Sequence, residues 1–186
     1  MKHSGTDKKE KDIDFEKCVE MARAGDPDSF AQLYALVYKE LYRIALINLN
    51  NNQHDASDVV SDTVLEAYTS ISKLRDEKAF KAWIIKILTV KIKNKRKEYK
   101  EINNFREDVD DLSDAEEAAV SKEIDFGSIE VMEGFKQLSE EERMVLSLSV
   151  VSGYKSEEIA RMFGTNANTV RSKVARAKAR LKQLLT

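Results

Sequence analysis

Seven basic side chains and no acidic one follow Glu158 in this chain of 186 residues. These side chains are Arg161, Arg171, Lys173, Arg176, Lys178, Arg180 and Lys182. Arginine and lysine bond the phosphates and guanine edges of DNA, and small or hydroxyl side chains beside them allow close approach. A solvated helix face is the alternative, but such faces normally mix lysine with glutamate. The one-sided charge therefore favours nucleic-acid binding.

The spacing around these bases is that of a helix-turn-helix between Ser156 and Val174. Gly164 can adopt the positive φ of a tight turn, and Asn166 is placed to cap the second helix. Four apolar residues recur on one side of that helix, namely Val170, Val174, Ala177 and Leu181. The polar residues that face outward from its first turns are Asn168, Thr169, Arg171, Ser172, Lys173 and Arg176. In a helix-turn-helix, these positions reach base edges in the major groove.

A second candidate surface is an acidic face on a helix that we expect to begin at Asp55 as its N-cap. One side of this helix is an apolar stripe of Val59, Val60, Val64, Ala67, Ile71 and Leu74. The opposite side carries Asp58, Ser61, Asp62, Leu65 and Glu66. A solvated acidic face is the alternative to a surface that docks on a partner protein, and the rest of the chain must decide between them.

Carboxylates at four-residue spacing, as on this acidic face, also raise the possibility of a metalloenzyme. A di-metal helical bundle uses Glu-x-x-His pairs on facing helices, whereas the only histidines here are His3 and His54. The lone Cys18 has no base placed beside it, and the sequence has no glycine-rich phosphate-binding loop. We therefore predict no catalytic residues, no metal and no cofactor.

Apolar residues at helical spacing dominate the chain, and alternating strand-like patterns are rare, so the sequence predicts an all-α protein. A polar tail at residues 1–11 precedes a helical bundle at 12–98. The segment 99–128 is predicted to be an acidic linker, and residues 129–186 form a second helical domain. The stretch "EDVDDLSDAEEAAV" at the centre of this linker carries seven acids and no base, namely Glu107, Asp108, Asp110, Asp111, Asp114, Glu116 and Glu117.

The net charge of -2 hides this separation of basic helices from acidic segments. The apolar runs are too short to span a bilayer, which takes about 20 residues, and the N-terminus lacks the apolar stretch of a signal peptide. A single cysteine excludes an internal disulfide and suits a reducing compartment. We therefore expect a cytoplasmic protein that does not insert into membranes.

The C-terminal segment "LSEEERMVLSLSVVSGYKSEEIARMFGTNANTVRSKVARAKARLKQLL" resembles region 4 of the extracytoplasmic-function (ECF) sigma factors of bacterial RNA polymerase. The shared features are an R-x-V-L start, an E-I-A helix that ends in glycine, and a T-V-x-S recognition helix. In that family, region 4 reads the −35 promoter element. The resemblance implies that the outward residues from Asn168 to Arg176 contact this element.

The acidic helix "DASDVVSDTVLEAY" is similar to region 2.2 of the same family, which docks on the clamp of the largest polymerase subunit. The resemblance gives this role to Asp58, Ser61, Asp62, Leu65 and Glu66, with Ser61 standing where the family has glutamine. The following helix, "FKAWIIKILTVKIKNKRKE", is similar to regions 2.3 and 2.4, which bind the −10 element. Val90 and Asn94 stand at the family's asparagine and aspartate. The implied −10 contacts are Arg75, Lys78, Lys81, Lys86, Lys93 and Asn94.

Two domains that resemble one family, in the same order, identify the chain as an ECF-type sigma factor of the sigma-70 family. This resemblance implies core RNA polymerase and promoter DNA as partners, commonly an anti-sigma factor as a third, and transcription initiation without catalysis by the chain. A two-domain regulator is the rival interpretation, with a sensor or dimerisation domain at its N-terminus. It accounts poorly for the acidic helix and for the second basic helix.

Overall fold

The computed structural model describes residues 14–107 and 129–185, and in these ranges the regular elements are all helical. Eight α-helices follow in order: α1 (Phe15–Arg23), α2 (Pro27–Asn48), α3 (Gln53–Ser70), α4 (Phe80–Glu107), α5 (Ile129–Lys136), α6 (Glu140–Val151), α7 (Ser156–Phe163) and α8 (Ala167–Leu184). Two short 3₁₀ turns, Ile71–Lys73 and Glu77–Ala79, connect α3 to α4. The all-α prediction is confirmed. The expected N-terminal tail and the acidic centre of the expected linker lie outside the described residues.

Local cap chemistry explains where the first helices begin. The Asp26 side chain accepts a hydrogen bond from the backbone N–H of Ser29 at 2.9 Å, and Pro27 occupies the first turn. The prediction of Asp55 as the cap of α3 is wrong. Asn52 caps this helix by accepting from the backbone N–H of Asp55 at 3.0 Å.

The α2–α3 connection explains this difference. Asn50 and Asn51 have φ values of 56° and 64°, a left-handed conformation that asparagine tolerates better than most residues. This tight turn reverses the chain early, so α3 begins at Gln53 and Asp55 lies within its first turn. The carboxylate of Asp55 therefore does not cap α3, and it contacts Lys95 and Tyr99 in the following helix α4.

α1 to α4 form a bundle around an apolar core. Leu33, Leu41 and Ile44 of α2 pack with Phe80 and Leu88 of α4, and all five are fully buried. α4 then continues to Glu107, so residues 99–107, expected to begin the linker, are helical. Tyr99 stabilises this extension because its hydroxyl donates to the Asp55 carboxylate of α3.

α5 to α8 form the C-terminal half. Ser139 and Glu142 make a reciprocal capping box at the start of α6. Gly164 ends α7 at φ +62°, and Asn166 caps α8 by accepting from the backbone N–H of Asn168 at 2.7 Å. α7 and α8 thus form the helix-turn-helix that the sequence predicts.

The two halves pack directly on each other through α2 and α6. Their buried apolar residues belong to one continuous cluster that extends from Val19 in α1 to Ala177 in α8. In the described parts of the chain, no helix combines the length and the apolar composition that crossing a membrane requires.

Candidate nucleic-acid and protein interfaces

The helix α8 presents the residues that the sequence assigns to DNA on one side. Val170, Val174 and Ala177 are buried against α6 and α7. Asn168, Thr169, Arg171, Ser172 and Arg176 are exposed, and Lys173 is half-buried. Helical periodicity therefore brings all six predicted residues to one surface, which we call the α8 surface.

Acidic residues of α6 and α7 pair with two of the bases on the α8 surface. Lys173 Nζ lies 2.5 Å from an Oε of Glu141, and Arg171 lies 2.5 Å from Glu157. The hydrogen bond from Lys173 lowers the pKa of Glu141. A backbone hydrogen bond, followed by the one from Arg171, lowers the pKa of Glu157. Both acids therefore stay ionised and reduce the positive charge of the α8 surface at neutral pH.

These two ion pairs are not evident from the sequence because the acids precede their partners by 32 and 14 residues. Arg176 is exposed, as Arg171 is, but unlike Arg171 and Lys173 it has no ion pair among residues 14–107 and 129–185. It is therefore the arginine of the α8 surface that is most available to an incoming phosphate or base.

The predicted −10 residues are all exposed, but they lie on more than one side of the N-terminal half. Lys86 and Lys93 are seven residues apart and so share one face of α4. Lys81 lies on a different side, with its Nζ 5.4 Å from the centre of the Phe15 ring of α1. Arg75 and Lys78 belong to the α3–α4 connection, and Asn94 lies beside the Lys86–Lys93 face.

Other bases of α4 make contacts within the protein. Lys91 pairs with Glu66 of α3 at 2.6 Å, and Lys95 pairs with Asp55 at 3.3 Å. Arg96 is half-buried, and its Nε donates to the backbone carbonyl of Asn48 at 3.0 Å. Part of the basic run on α4 therefore stabilises the fold, which composition alone did not reveal.

The predicted docking face on α3 is also exposed. Asp58, Ser61, Asp62, Leu65 and Glu66 all face outward, and Leu65 is 64% exposed. Leu65 adds exposed apolar area to a face that is otherwise acidic and polar. Protein interfaces likewise combine apolar and charged side chains.

A cavity of about 360 Å³ adjoins this face and was not found from the sequence. Phe30 and Tyr34 of α2 line it together with Ser61, Leu65 and Tyr68 of α3. Tyr34 is half-buried on α2, whereas Tyr68 is 48% exposed. Phe30, Tyr34 and Tyr68 therefore enlarge the apolar area around Leu65 on the α3 face, beyond the residues predicted from the sequence.

One group of residues has donor atoms close enough to share a metal ion, as judged over the described ranges. His54, Asp55 and Asp58 place one ligand atom each within 4.8 Å of one another. Lys95 and the Tyr99 hydroxyl already contact the carboxylate of Asp55. These contacts give Asp55 a structural role, because they join α3 to α4. The group is therefore explained by the packing of the two helices.

Two family models match the chain, and each covers one of the two halves. The model described as "Sigma-70 region 2" matches residues 30–101, and the model described as "Sigma-70, region 4" matches residues 128–181. The chain belongs to the sigma-70 family. The first match contains the acidic face and α4, and the second contains the α8 surface. Sigma factors are transcription initiation factors and not enzymes, as the sequence analysis expected.

Curated relatives place this sigma factor in the ECF group. It is 28% identical over 172 residues to the RNA polymerase sigma factor NccH of Alcaligenes xylosoxydans xylosoxydans, with 88% of this chain and 90% of NccH covered. It is also 28% identical over 163 residues to the ECF RNA polymerase sigma factor SigM of Mycobacterium tuberculosis, with 87% and 80% covered. Both alignments cover most of each protein, so the likeness includes both halves.

Solved structures are similar in fold over both halves. The sigma factor RpoE in complex with the anti-sigma factor NepR from Bartonella quintana aligns with a TM-score of 0.70 and 25% identity, over 85% of this chain and 97% of that one. CnrH in complex with the cytosolic domain of CnrY aligns with a TM-score of 0.67 and 21% identity, over 92% and 96%. The similarity to CnrH supports the fold of this sigma factor.

Proposed function

We propose that this sigma factor binds core RNA polymerase through the exposed face of α3 and directs initiation at promoters with a −10 and a −35 element. The observation that carries the proposal is the presence of an acidic docking face and a basic helix-turn-helix on opposite halves of one chain. One surface suits a protein partner and the other suits DNA, which is what a factor that brings a polymerase to a promoter requires.

The −35 element is assigned to the α8 surface, from Asn168 to Arg176. The −10 element is assigned to the N-terminal half, where Lys86 and Lys93 offer phosphate contacts along one face of α4. Phosphate contacts position a protein on DNA without reading its sequence. We assign sequence recognition at −10 to the α3–α4 connection, which carries Arg75 and Lys78.

An anti-sigma factor is proposed as a third partner, and the cytoplasm as the compartment, because bacterial RNA polymerase acts there. The supporting observation for the partner is that RpoE of Bartonella quintana, which resembles this chain over both halves, was solved with the anti-sigma factor NepR. The exposed Leu65 and the aromatic cavity beside it are apolar surfaces that such a protein can cover.

The substitution Asp62→Lys tests the docking assignment. It reverses charge at the centre of the acidic face, where the side chain is exposed and its removal leaves no buried group unpaired. We expect the affinity for purified core polymerase to fall by about tenfold or more, since a like charge at an interface costs several kcal/mol. Fluorescence anisotropy of the labelled full chain, titrated with core polymerase, measures this affinity.

Glu20→Lys is the matched control, because Glu20 is an exposed acid on α1, away from the acidic face. It should bind core polymerase like the unmodified protein, and both variants should bind duplex DNA equally. Unchanged core binding by Asp62→Lys, or an equal loss in both variants, would remove the α3 face from the polymerase interface.

A further inference from the structure

We propose that α1 positions the α3–α4 connection for DNA, and that the ion pair between Arg23 and Glu77 holds this connection in the conformation that recognises the −10 element. α1 is Phe15–Arg23, whereas the match to sigma-70 region 2 begins at residue 30. The inference rests on the −10 role proposed for the connection. It adds Arg23 as a positioning residue that acts through Glu77.

The part of the connection assigned to DNA is anchored in the core only at its ends. Leu74 and Phe80, which flank segment 75–79, are both buried. Arg75 and Lys78, to which we assign sequence recognition at −10, are exposed within this segment. Apolar packing therefore fixes where the segment begins and ends, and it leaves the direction of the side chains between these points to other contacts.

Glu77 ties the middle of the segment to α1. Arg23, the last residue of α1, donates from Nη1 to Oε1 of Glu77, and the two side chains are 28% and 33% exposed. Within the described ranges, no other charged residue of segment 75–79 has an ion pair. Asp76 accepts from the backbone N–H of Lys78 at 3.0 Å, a bond within the segment itself. The contact with Arg23 is therefore what orients the segment relative to the bundle.

α1 contacts the same region at a second point. The ring of Phe15 packs edge to face on Phe80, with 5.8 Å between the ring centres, and Lys81 lies over the other aromatic partner, Phe15. Phe15 and Arg23 are the first and last residues of α1, about 12 Å apart along the helix axis. Val19 between them is fully buried, so α1 is fixed to the core and holds the connection at two separate points.

The energetics of the ion pair suit positioning better than global stability. Half-buried charges lose much of their mutual attraction to the cost of removing water, and exposed pairs contribute little. Arg23 Nε is buried without a hydrogen-bond partner among the described residues, which adds to this cost. Loss of the pair should therefore leave the fold intact and loosen the connection, so an effect on recognition can be separated from unfolding.

Arg23→Glu tests the positioning role because it places two carboxylates together at residues 23 and 77. In hydrogen-exchange mass spectrometry of the full chain, peptides that cover residues 72–80 should exchange about threefold faster or more, since the pair now favours local opening. Peptides from α2 and α8 should exchange at the rate of the unmodified protein. Arg23→Gln removes the attraction without adding repulsion, and it should give a smaller increase in the same peptides.

Base preference provides a readout that a purely structural role would not change. Promoters that the unmodified protein transcribes with core polymerase serve as templates, randomised either at the −10 or at the −35 element. Sequencing of the transcribed templates then measures the preference for each base. Arg23→Glu should reduce the preference at −10 by about threefold or more, in proportion to the loosened connection. The preference at −35 and the affinity for core polymerase should stay unchanged.

Two further variants separate the ion pair from the charge. Lys17→Glu makes the same change in net charge at an exposed position of α1, and it should alter neither the exchange of residues 72–80 nor the −10 preference. Arg23→Glu combined with Glu77→Arg restores an ion pair of reversed polarity. This double variant should return both quantities toward those of the unmodified protein.

The positioning role is overturned if Arg23→Glu leaves the exchange of residues 72–80 or the −10 preference unchanged. An equal loss of preference in Lys17→Glu, or no recovery in the charge-swapped variant, overturns it as well. The −10 role of the connection fails separately. If Arg75→Ala combined with Lys78→Ala keeps the −10 preference of the unmodified protein, the connection does not recognise this element, whatever Arg23 does to its exchange.

Discussion

Lysine and arginine side chains on α4 and α8 divide into two groups by what they contact. Lys91, Lys95 and Arg96 bind acids or carbonyls of other helices and so stabilise the fold. Arg176 and Lys86 are exposed. Composition treats all these bases alike, whereas a basic residue that a neighbouring acid already pairs with offers less positive charge to DNA than an unpaired one.

Arg176→Ala should weaken binding of duplex DNA that contains the −35 element. If the guanidinium reads a base, the loss is about 1–3 kcal/mol and sequence preference relaxes at that position. If it contacts phosphate, affinity falls evenly across sequences and the slope of log affinity against log salt decreases by about one. Anisotropy titrations at several salt concentrations, on specific and scrambled duplexes, distinguish these results.

Lys39→Ala provides the matched control for Arg176→Ala. It removes one exposed positive charge from α2, which lies outside the α8 surface. This variant should keep the sequence preference of the unmodified protein. If Arg176→Ala changes neither affinity nor salt slope, Arg176 does not belong to the DNA interface.

At the scale of elements, the turn between α7 and α8 determines how the α8 surface is presented. Gly164 has a φ of +62°, and a Cβ built on it meets no atom within 4 Å. Space is therefore not the constraint at this position. The constraint is the left-handed backbone conformation, because the Cβ of an L-residue in this conformation lies too close to its own backbone.

Gly164→Ala should lower the free energy of unfolding by about 1 kcal/mol, which is the cost of placing an ordinary L-residue in this conformation. Gly164→Asn should cost less, since asparagine tolerates left-handed φ values. Urea denaturation followed by circular dichroism measures both. Equal stability of the alanine variant and the unmodified protein would contradict the role given to this turn.

Elements whose signals are local were predictable from the sequence, and those fixed by distant residues were not. Asp26, Gly164 and Asn166 act on their own helices, so residue type and spacing were sufficient. The predicted cap of α3, Asp55, was three residues too late. The left-handed conformations of Asn50 and Asn51 complete the turn after α2 and allow Asn52 to cap the helix. The pairing of Lys173 with Glu141 depends on how α8 packs against α6, which no local pattern records.

The whole molecule separates its charges while its net charge stays near zero, at -2. The α3 face is acidic and lies in the half that matches region 2, whereas the α8 surface is basic and lies in the half that matches region 4. The sequence predicted both halves, because each contains a motif of its own. It did not predict their packing, since the contacts of Asn48 with Ser147 and of Asn50 with Arg143 join residues 99 and 93 positions apart.

The role proposed for this chain is to bring core polymerase to particular promoters. Run-off transcription with purified core RNA polymerase over a genomic promoter library tests it most directly. With the full chain added, transcripts should start from a small set of templates that share a spaced pair of upstream elements, and Asp62→Lys should reduce their amount at the same protein concentration. Transcripts no different from those of core polymerase alone, or equal initiation from all templates, would contradict the account.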